Sequence, residues 1–282
     1  LALVRPTLEY APFSDVELVI EATPESLELK QRVFSELEEA CGEEALLTSN
    51  TSALSITEIA SGLRHPERVA GMHFFNPVSM MRLVEVVRGE KTSDETEAAL
   101  CAAAEEMGKT PVVCADSAGF IVNRLLCAAM MEAIRCEEEG VLGRREIDRA
   151  LVKPDAGLPV GLFRMADQLG IDLLHKVMTI LENSFGERMA VPDAVKNLYE
   201  SGRYGLKTDG GFYDYPFKAA DEEETDVEAK QLVVSRVLSA VVAEARRMYA
   251  EGTASEEGID TAMRLGALFK KPPFAYTEET GK

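Results

Sequence analysis

Two stretches of this chain are copies of one another. At an offset of 112 residues, Arg124, Leu126, Glu132, Ala133, Arg135, Glu139, Gly140, Ile147, Asp148 and Ala150 stand over Arg236, Leu238, Glu244, Ala245, Arg247, Glu251, Gly252, Ile259, Asp260 and Ala262. An internal repeat restricts the architecture more than any local pattern, because each copy is a unit whose apolar face is covered by its neighbour. Both copies carry helical spacing and no strand pattern, so two packed copies of one helical unit are expected. In the first, helices are expected over 120–139, 144–151, 172–185 and 193–201, ending in a glycine-rich stretch, 205–213. Residues 216–228 are polar and acidic, which suits a linker between the copies. The second copy stops soon after Phe274, the counterpart of Phe163, and reads as cut short.

The first hundred-odd residues have a different grammar. Val16 to Ala22 alternates apolar and polar and ends at Thr23 and Pro24; Leu27, Val33, Phe34 and Leu37 then recur at helical spacing. That is a strand followed by a helix. Strands are expected again at 45–49, 69–74, 83–87 and 110–114, with helices at 55–63 and 96–107. Alternation of this length predicts a mostly parallel sheet with helices on its faces. The chain is therefore expected to be α/β over 1–116 and all-α afterwards: a first helical copy over 117–215, a linker over 216–229 and a second copy over 230–282.

Acidic residues number 49 against 30 basic ones, a formal charge of -19, which repels nucleic acid and anionic lipid. No run of 18 apolar residues is present, so no membrane-spanning helix is expected. Cys41, Cys101, Cys114, Cys127 and Cys136 form no C-x-x-C pair and mostly lie in apolar runs, as reduced core thiols of a cytoplasmic protein do. Residue 1 is Leu, and the opening residues resemble neither an initiator sequence nor a signal peptide; the chain reads as starting inside something longer.

Of three histidines, His65 lies in a polar turn beside Pro66 and His175 on a helix among Leu173, Leu174 and Val177. His73 closes an expected strand and precedes Phe74, Phe75, Asn76 and Pro77, where proline ends the ladder. Open α/β sheets build their sites at such strand ends. Glu85 lies inside the apolar run Leu83 to Val87, where an unpaired carboxylate is costly. His73 is its expected partner, with Arg82 and Arg88 as the competing ones. A carboxylate on imidazole fixes the tautomer and stabilises the imidazolium, which is what a base needs to take an alcohol proton near neutral pH.

Four motifs in order carry a family resemblance: Ser49-Asn50-Thr51-Ser52, Gly71-Met72-His73-Phe74-Phe75-Asn76-Pro77, Leu83-Val84-Glu85-Val86, and Asp116-Ser117-Ala118-Gly119-Phe120 through Asn123 to Leu126. They resemble those of 3-hydroxyacyl-CoA dehydrogenases. Tyr204 to Thr208 and Gly211 to Tyr213 resemble that family's closing motif, so the likeness spans about residues 13 to 215. The resemblance implies a Rossmann-type NAD-binding domain followed by a duplicated helical C-terminal domain. It implies His73 as general base, Glu85 as its orienting partner, and Ser52 and Asn123 on the substrate side. For NAD it implies Glu25, Lys30, Ser52, Asn76 and Lys207. From spacing alone, Ser52 reads as a helix cap, Asn123 as a cap or a locally bonded residue at a helix start, and Glu25 and Lys30 as solvent-facing charges.

The sequence departs from the family pattern at Ala118, where proline is usual, and at Leu162 to Arg164. Ser235 stands where the first copy has Asn123, so only one copy is expected to be catalytic, the other replacing a dimer contact. No G-x-G-x-x-G occurs, so the turn that would hold the pyrophosphate is not among these residues, and the first strands of the nucleotide domain are expected to be missing. The implied activity is NAD-dependent interconversion of (3S)-3-hydroxyacyl-CoA and 3-oxoacyl-CoA in fatty-acid oxidation or hydroxybutyryl-CoA metabolism. An acyl-CoA is the implied substrate, and a fused or associated enoyl-CoA hydratase the implied partner. The alternatives are a dehydrogenase of free β-hydroxyacids and a structural module without turnover.

Overall fold

The computed structural model describes residues 4–152, 157–217 and 226–280, in two compact units that divide between Phe120 and Ile121. Most of the acidic stretch expected as a linker lies outside the described residues.

The first unit is a five-stranded sheet in the order β1 (Leu18–Glu21), β2 (Leu46–Ser49), β3 (Val69–Phe74), β4 (Leu83–Arg88), β5 (Thr110–Ala115). β1, β2 and β3 run parallel, β4 is antiparallel to β3, and β5 is parallel to β4. β3 and β4 are buried from end to end apart from their last residues. This follows from their predominantly apolar sequences, interrupted inside the strands only by His73 and Glu85, which suit strands covered on both faces. One face packs Ala70, Met72, Val84 and Val86 against Leu100 and Ala104 of α3 (Asp94–Glu106). The other receives α1 (Leu27–Ala40) and the short α2 (Ile56–Ala60). Gly71 lets this second face close: a Cβ there would stand 2.8 Å from Val87 Cβ and 3.1 Å from Ile56 Cδ1.

Each of the three α-helices of this unit starts on a side-chain cap, as its sequence directs. Ser26, Ser55 and Ser93 accept from the amides of Leu29, Glu58 and Thr96. Asp116, just past β5, reinforces α2 by accepting from Ile56 N at 3.0 Å, Thr57 N at 2.8 Å and the Ser55 hydroxyl at 2.7 Å. The capping role of Asp116 is invisible in its own neighbourhood, since its helix begins sixty residues upstream.

The second unit opens with α4 (Val122–Glu138), two residues later than the spacing predicts. Gly119 and Phe120 both take left-handed backbone angles, φ 71° and 48°, and a helix cannot run through them. α5 (Arg144–Val152), α6 (Leu162–Leu169), α7 (Ile171–Phe185) and α8 (Asp193–Glu200) follow. α6 is a helix that the spacing analysis did not anticipate. The second copy contributes α9 (Val227–Ala250), α10 (Glu256–Leu265) and α11 (Pro273–Thr280).

The repeat is structural as well as sequential. α4 packs on α9, and each contributes one arginine to the other copy's acids. Arg124 bonds Glu244 at 2.7 Å and Glu251 at 2.7 Å; Arg236 bonds Glu132 at 2.6 Å and also Glu139. Asp148 accepts from Phe163 N and Arg164 N, both at 3.0 Å, and caps α6. Asp260 does the same for α11, through Phe274 N at 2.9 Å and Ala275 N at 3.0 Å.

Candidate active site

β3 and β4 are set in register so that His73 and Glu85 face each other directly across the antiparallel ladder. His73 Nδ1 lies 2.6 Å from Glu85 Oε2. The Glu85 side chain is wholly buried and that of His73 is 6% exposed. A carboxylate can only accept, so Nδ1 carries the proton in this bond and Nε2 of the neutral ring keeps its lone pair. That is the tautomer of a general base. A carboxylate buried this deeply needs a partner, and His73 supplies one, whereas Arg88 is committed to Asp94 and Glu97.

The imidazole is wedged between aromatic rings, with Phe75 at 4.5 Å and Phe120 at 5.7 Å between centroids. Asn50 Oδ1 accepts from Phe74 N at 2.8 Å, which ties the end of β3 to the turn after β2. Asn50 thus shapes the site although the sequence reading assigned it no role; its place in the Ser49 to Ser52 motif was the available signal. The other histidines are engaged elsewhere: His65 Nδ1 is 3.1 Å from Glu67, and His175 stacks on Tyr199 at 4.1 Å.

A second group of polar residues gathers after β1 and β2. Lys30 Nζ, 1% exposed, donates to both Glu21 oxygens at 2.9 Å and to Thr23 O at 3.2 Å, and lies 3.6 Å from Glu25 Oε2. Burial pushes the Glu21 carboxyl up, but hydrogen bonds from Ser49, Thr23 and Lys30 outweigh it and hold the group below the usual carboxylate range. Glu25 Oε1 accepts from the Thr51 hydroxyl at 2.5 Å and from Ser52 N at 3.0 Å. Ser52 is partly exposed, and the cap of α2 is Ser55, three residues on. Glu21 was missed as a site residue. Its signal was an acid closing an apolar strand, with a lysine nine residues later.

Asn76 is exposed at the end of the His73 motif, in the turn between β3 and β4. Asn123 lies in the first turn of α4. Lys207, in a short turn of 3-10 helix after α8, donates to Asp172 at 2.5 Å. Burial raises the Asp172 carboxyl, and the Lys207 contact overrides it, so the net shift is downward. The structure therefore brings His73 and Glu85 together and gathers Glu25, Lys30 and the Ser52 amide into one network, while Asn123 and Lys207 belong to the second unit. No cluster of three or more His, Cys, Asp or Glu side chains suited to a metal occurs among the described residues, and no helix among them is long and apolar enough to cross a membrane.

Comparison with known proteins matches residues 1–117 to the family model for the 3-hydroxyacyl-CoA dehydrogenase NAD binding domain. Residues 119–215 and 232–282 match the C-terminal domain of the same enzymes. Among curated proteins, the fatty acid oxidation complex subunit alpha of Shewanella amazonensis is 43% identical over 80% of this chain and 32% of its own length. The subunit of the same name from Shewanella baltica is 40% identical over 97% of this chain and 40% of its own length. The chain thus spans about a third to two fifths of the length of these relatives. The crystal structure of 3-hydroxybutyryl-CoA dehydrogenase from Escherichia coli K12 superposes with a TM-score of 0.89 at 29% identity, over 98% of this chain and 77% of that one. Paired with a buried His–Glu couple at the end of β3, these matches show that the chain belongs to the 3-hydroxyacyl-CoA dehydrogenase family.

Proposed function

We propose that the protein carrying this chain interconverts (3S)-3-hydroxyacyl-CoA and 3-oxoacyl-CoA with NAD. The buried His73–Glu85 pair, 2.6 Å apart, is the observation that carries this reading. In oxidation, His73 Nε2 accepts the proton of the 3-hydroxyl while Nδ1 stays bonded to Glu85, and the carboxylate stabilises the imidazolium as it forms. In reduction, His73 returns that proton to the new alkoxide oxygen. Ser52 bonds the substrate's 3-oxygen side from the turn after β2. Asn123 acts on the substrate as well, a role that rests on the motif around it.

NAD supplies the hydride acceptor when bound. Partly exposed Ser52 and exposed Asn76 offer hydroxyl and amide groups of the kind a nicotinamide and its ribose take, so the residues present fit that end of the cofactor. The pyrophosphate turn is not among these 282 residues. Glu25, Lys30 and Lys207 complete the cofactor set, directly or through the turns they shape. The five cysteines are free thiols, which supports a cytoplasmic setting, and the kinship with a fatty acid oxidation complex subunit supports an enoyl-CoA hydratase partner, fused or associated.

The test uses the full-length protein. Acetoacetyl-CoA should be reduced with consumption of NADH, free acetoacetate should not, and His73→Gln should abolish turnover while leaving NADH affinity within a few-fold of wild type. Wild-type inactivity on the thioester, or undiminished turnover in His73→Gln, refutes the reading.

A further inference from the structure

We propose that Phe120 is a positioning residue for the base: a strained backbone sets its ring against His73 and keeps the imidazole on Glu85. The inference rests on the activity proposed above. Among the described residues, three that are not glycine take left-handed backbone angles: Phe120 at φ 48°, Asp209 at 53° and Leu268 at 58°. Aspartate visits that region readily because its short carboxylate can bond the local backbone. Leu268 is 46% exposed, in the loop before α11. Phe120 is bulky and 1% exposed, and a left-handed angle at such a residue costs free energy that the surrounding structure has to offset. Parting α4 from β5 does not demand it, since Gly119, one residue earlier at φ 71°, already turns the chain without a Cβ in the way. Strain kept in this way marks a functional constraint.

The position of the ring shows what the angle achieves. β5 ends beside β4, where Asp116 N donates to Arg88 O at 3.0 Å, three residues past Glu85. Phe120 N then donates to Ser117 O at 2.9 Å, and this turn carries the ring back to the dyad. Its centroid lies 5.7 Å from that of His73 with the planes at 58°, while Phe75 lies at 4.5 Å and 54°. Both are distances at which tilted aromatic pairs attract. The carboxylate holds the imidazole by one atom, Nδ1, at 2.6 Å. A ring held at one atom can rock about its Cβ–Cγ bond, and each tilt lengthens the bond to Glu85 and swings the Nε2 lone pair. Phe75 is half-buried and follows the base by two residues, so it shares any displacement of that segment. Phe120 arrives from a separate segment and is buried, so its ring is the fixed wall against which the imidazole rests.

The test uses the full-length protein. Phe120→Leu keeps apolar bulk and removes the ring. A base displaced by an ångström costs on the order of 100-fold, so kcat for acetoacetyl-CoA reduction should fall about 10- to 100-fold, with KM and NADH affinity within about 3-fold of wild type. Leucine keeps water out while the imidazole leaves the carboxylate that stabilises its charged form. The acidic limb of kcat/KM for 3-hydroxybutyryl-CoA oxidation should therefore move to lower pH. A residue that only fills the core would change the melting temperature and leave that limb in place. Phe120→Gly and Phe120→Ala both lack the ring and differ in whether the backbone accepts φ 48°. They should be equally impaired in turnover, with the glycine variant melting higher, and they carry the test should Phe120→Leu fail to melt cooperatively. A folded Phe120→Leu with kcat within about 3-fold of wild type, a limb that stays in place or rises, or an alanine variant as stable as the glycine one would overturn the positioning role. A wild-type enzyme without turnover would remove the activity itself, and this proposal with it.

Discussion

Glu85→Gln isolates the charge of the buried dyad from its geometry. Glutamine has nearly the volume of glutamate, and its amide oxygen can still accept from His73 Nδ1, so the tautomer and the cross-strand packing survive. What is lost is the negative charge that faces the imidazolium. With Nδ1 2.6 Å from Oε2, the charge centres lie about 4 Å apart, and at an effective dielectric constant of about 20 their attraction is about 4 kcal/mol. If the proton is half transferred in the transition state, about 2 kcal/mol of that is forfeited, or about 30-fold in rate; a fully formed imidazolium raises the loss to about 1,000-fold. The assay is single-turnover oxidation of 3-hydroxybutyryl-CoA by the full-length enzyme, which reads the chemical step apart from product release. A melting curve verifies that the variant is folded. A loss below about 3-fold would mean that no positive charge develops on His73, and the general-base reading would fall with it.

Asp148 makes a pH prediction. Burial pushes its carboxyl up to about 6, against the opposing bonds from Phe163 N, Tyr213 OH and Arg164 N, and nearby Asp167 adds to the rise. A folded value above the unfolded 3.8 means that the folded state holds the proton more tightly, so this group's stabilisation is present below about pH 4 and is lost as pH rises through about 6. The shift corresponds to about 3 kcal/mol at most, and Asp148→Asn should flatten the fall in melting temperature between about pH 4 and 6. An equally steep fall in the variant would contradict it. The two reciprocal arginines should differ in weight: Arg124 is fully buried, whereas the Arg236 side chain is 24% exposed. Arg124→Ala should cost about 3 to 5 kcal/mol in denaturant unfolding and Arg236→Ala about 1, and equal costs would show that burial does not govern these pairs.

The strands and their order of appearance were legible because apolar runs bounded by turn residues have few other uses in a chain of this composition. The His73–Glu85 pair was legible for a related reason: a carboxylate within Leu83 to Val87 has to find a partner, and a strand-end histidine was available. The features that escaped are those whose cause lies far away in sequence. Asp116 caps a helix that starts at Ile56, and the delayed start of α4 depends on a left-handed Phe120 that no propensity would assign. Glu25 and Lys30 looked like solvated helix charges. Local spacing cannot show that Thr51 and Ser52 return to Glu25 across β2, 26 and 27 residues later.

The two copies of the helical unit offer a control written into one chain. Positions identical between them have physical duties that each copy must perform: Arg124 and Arg236 reach across to paired glutamates, Asp148 and Asp260 cap the next helix, and Gly140 and Gly252 end α4 and α9 at φ 71° and 73°. Asn123 and Ser235 sit beside the matched arginines yet differ, so packing between the copies does not dictate residue type there. If Asn123 serves the substrate, exchanging the two should give unequal results. Asn123→Ser should lower kcat/KM for acetoacetyl-CoA by about 10- to 100-fold, the cost of one substrate hydrogen bond to a reacting group, with melting temperature unchanged. Ser235→Asn should leave both quantities as they are. Equal effects on turnover, or a loss in Asn123→Ser that tracks stability alone, would reduce Asn123 to a helix-start residue and leave the dyad in the first unit as the only part of the chemistry argued from geometry.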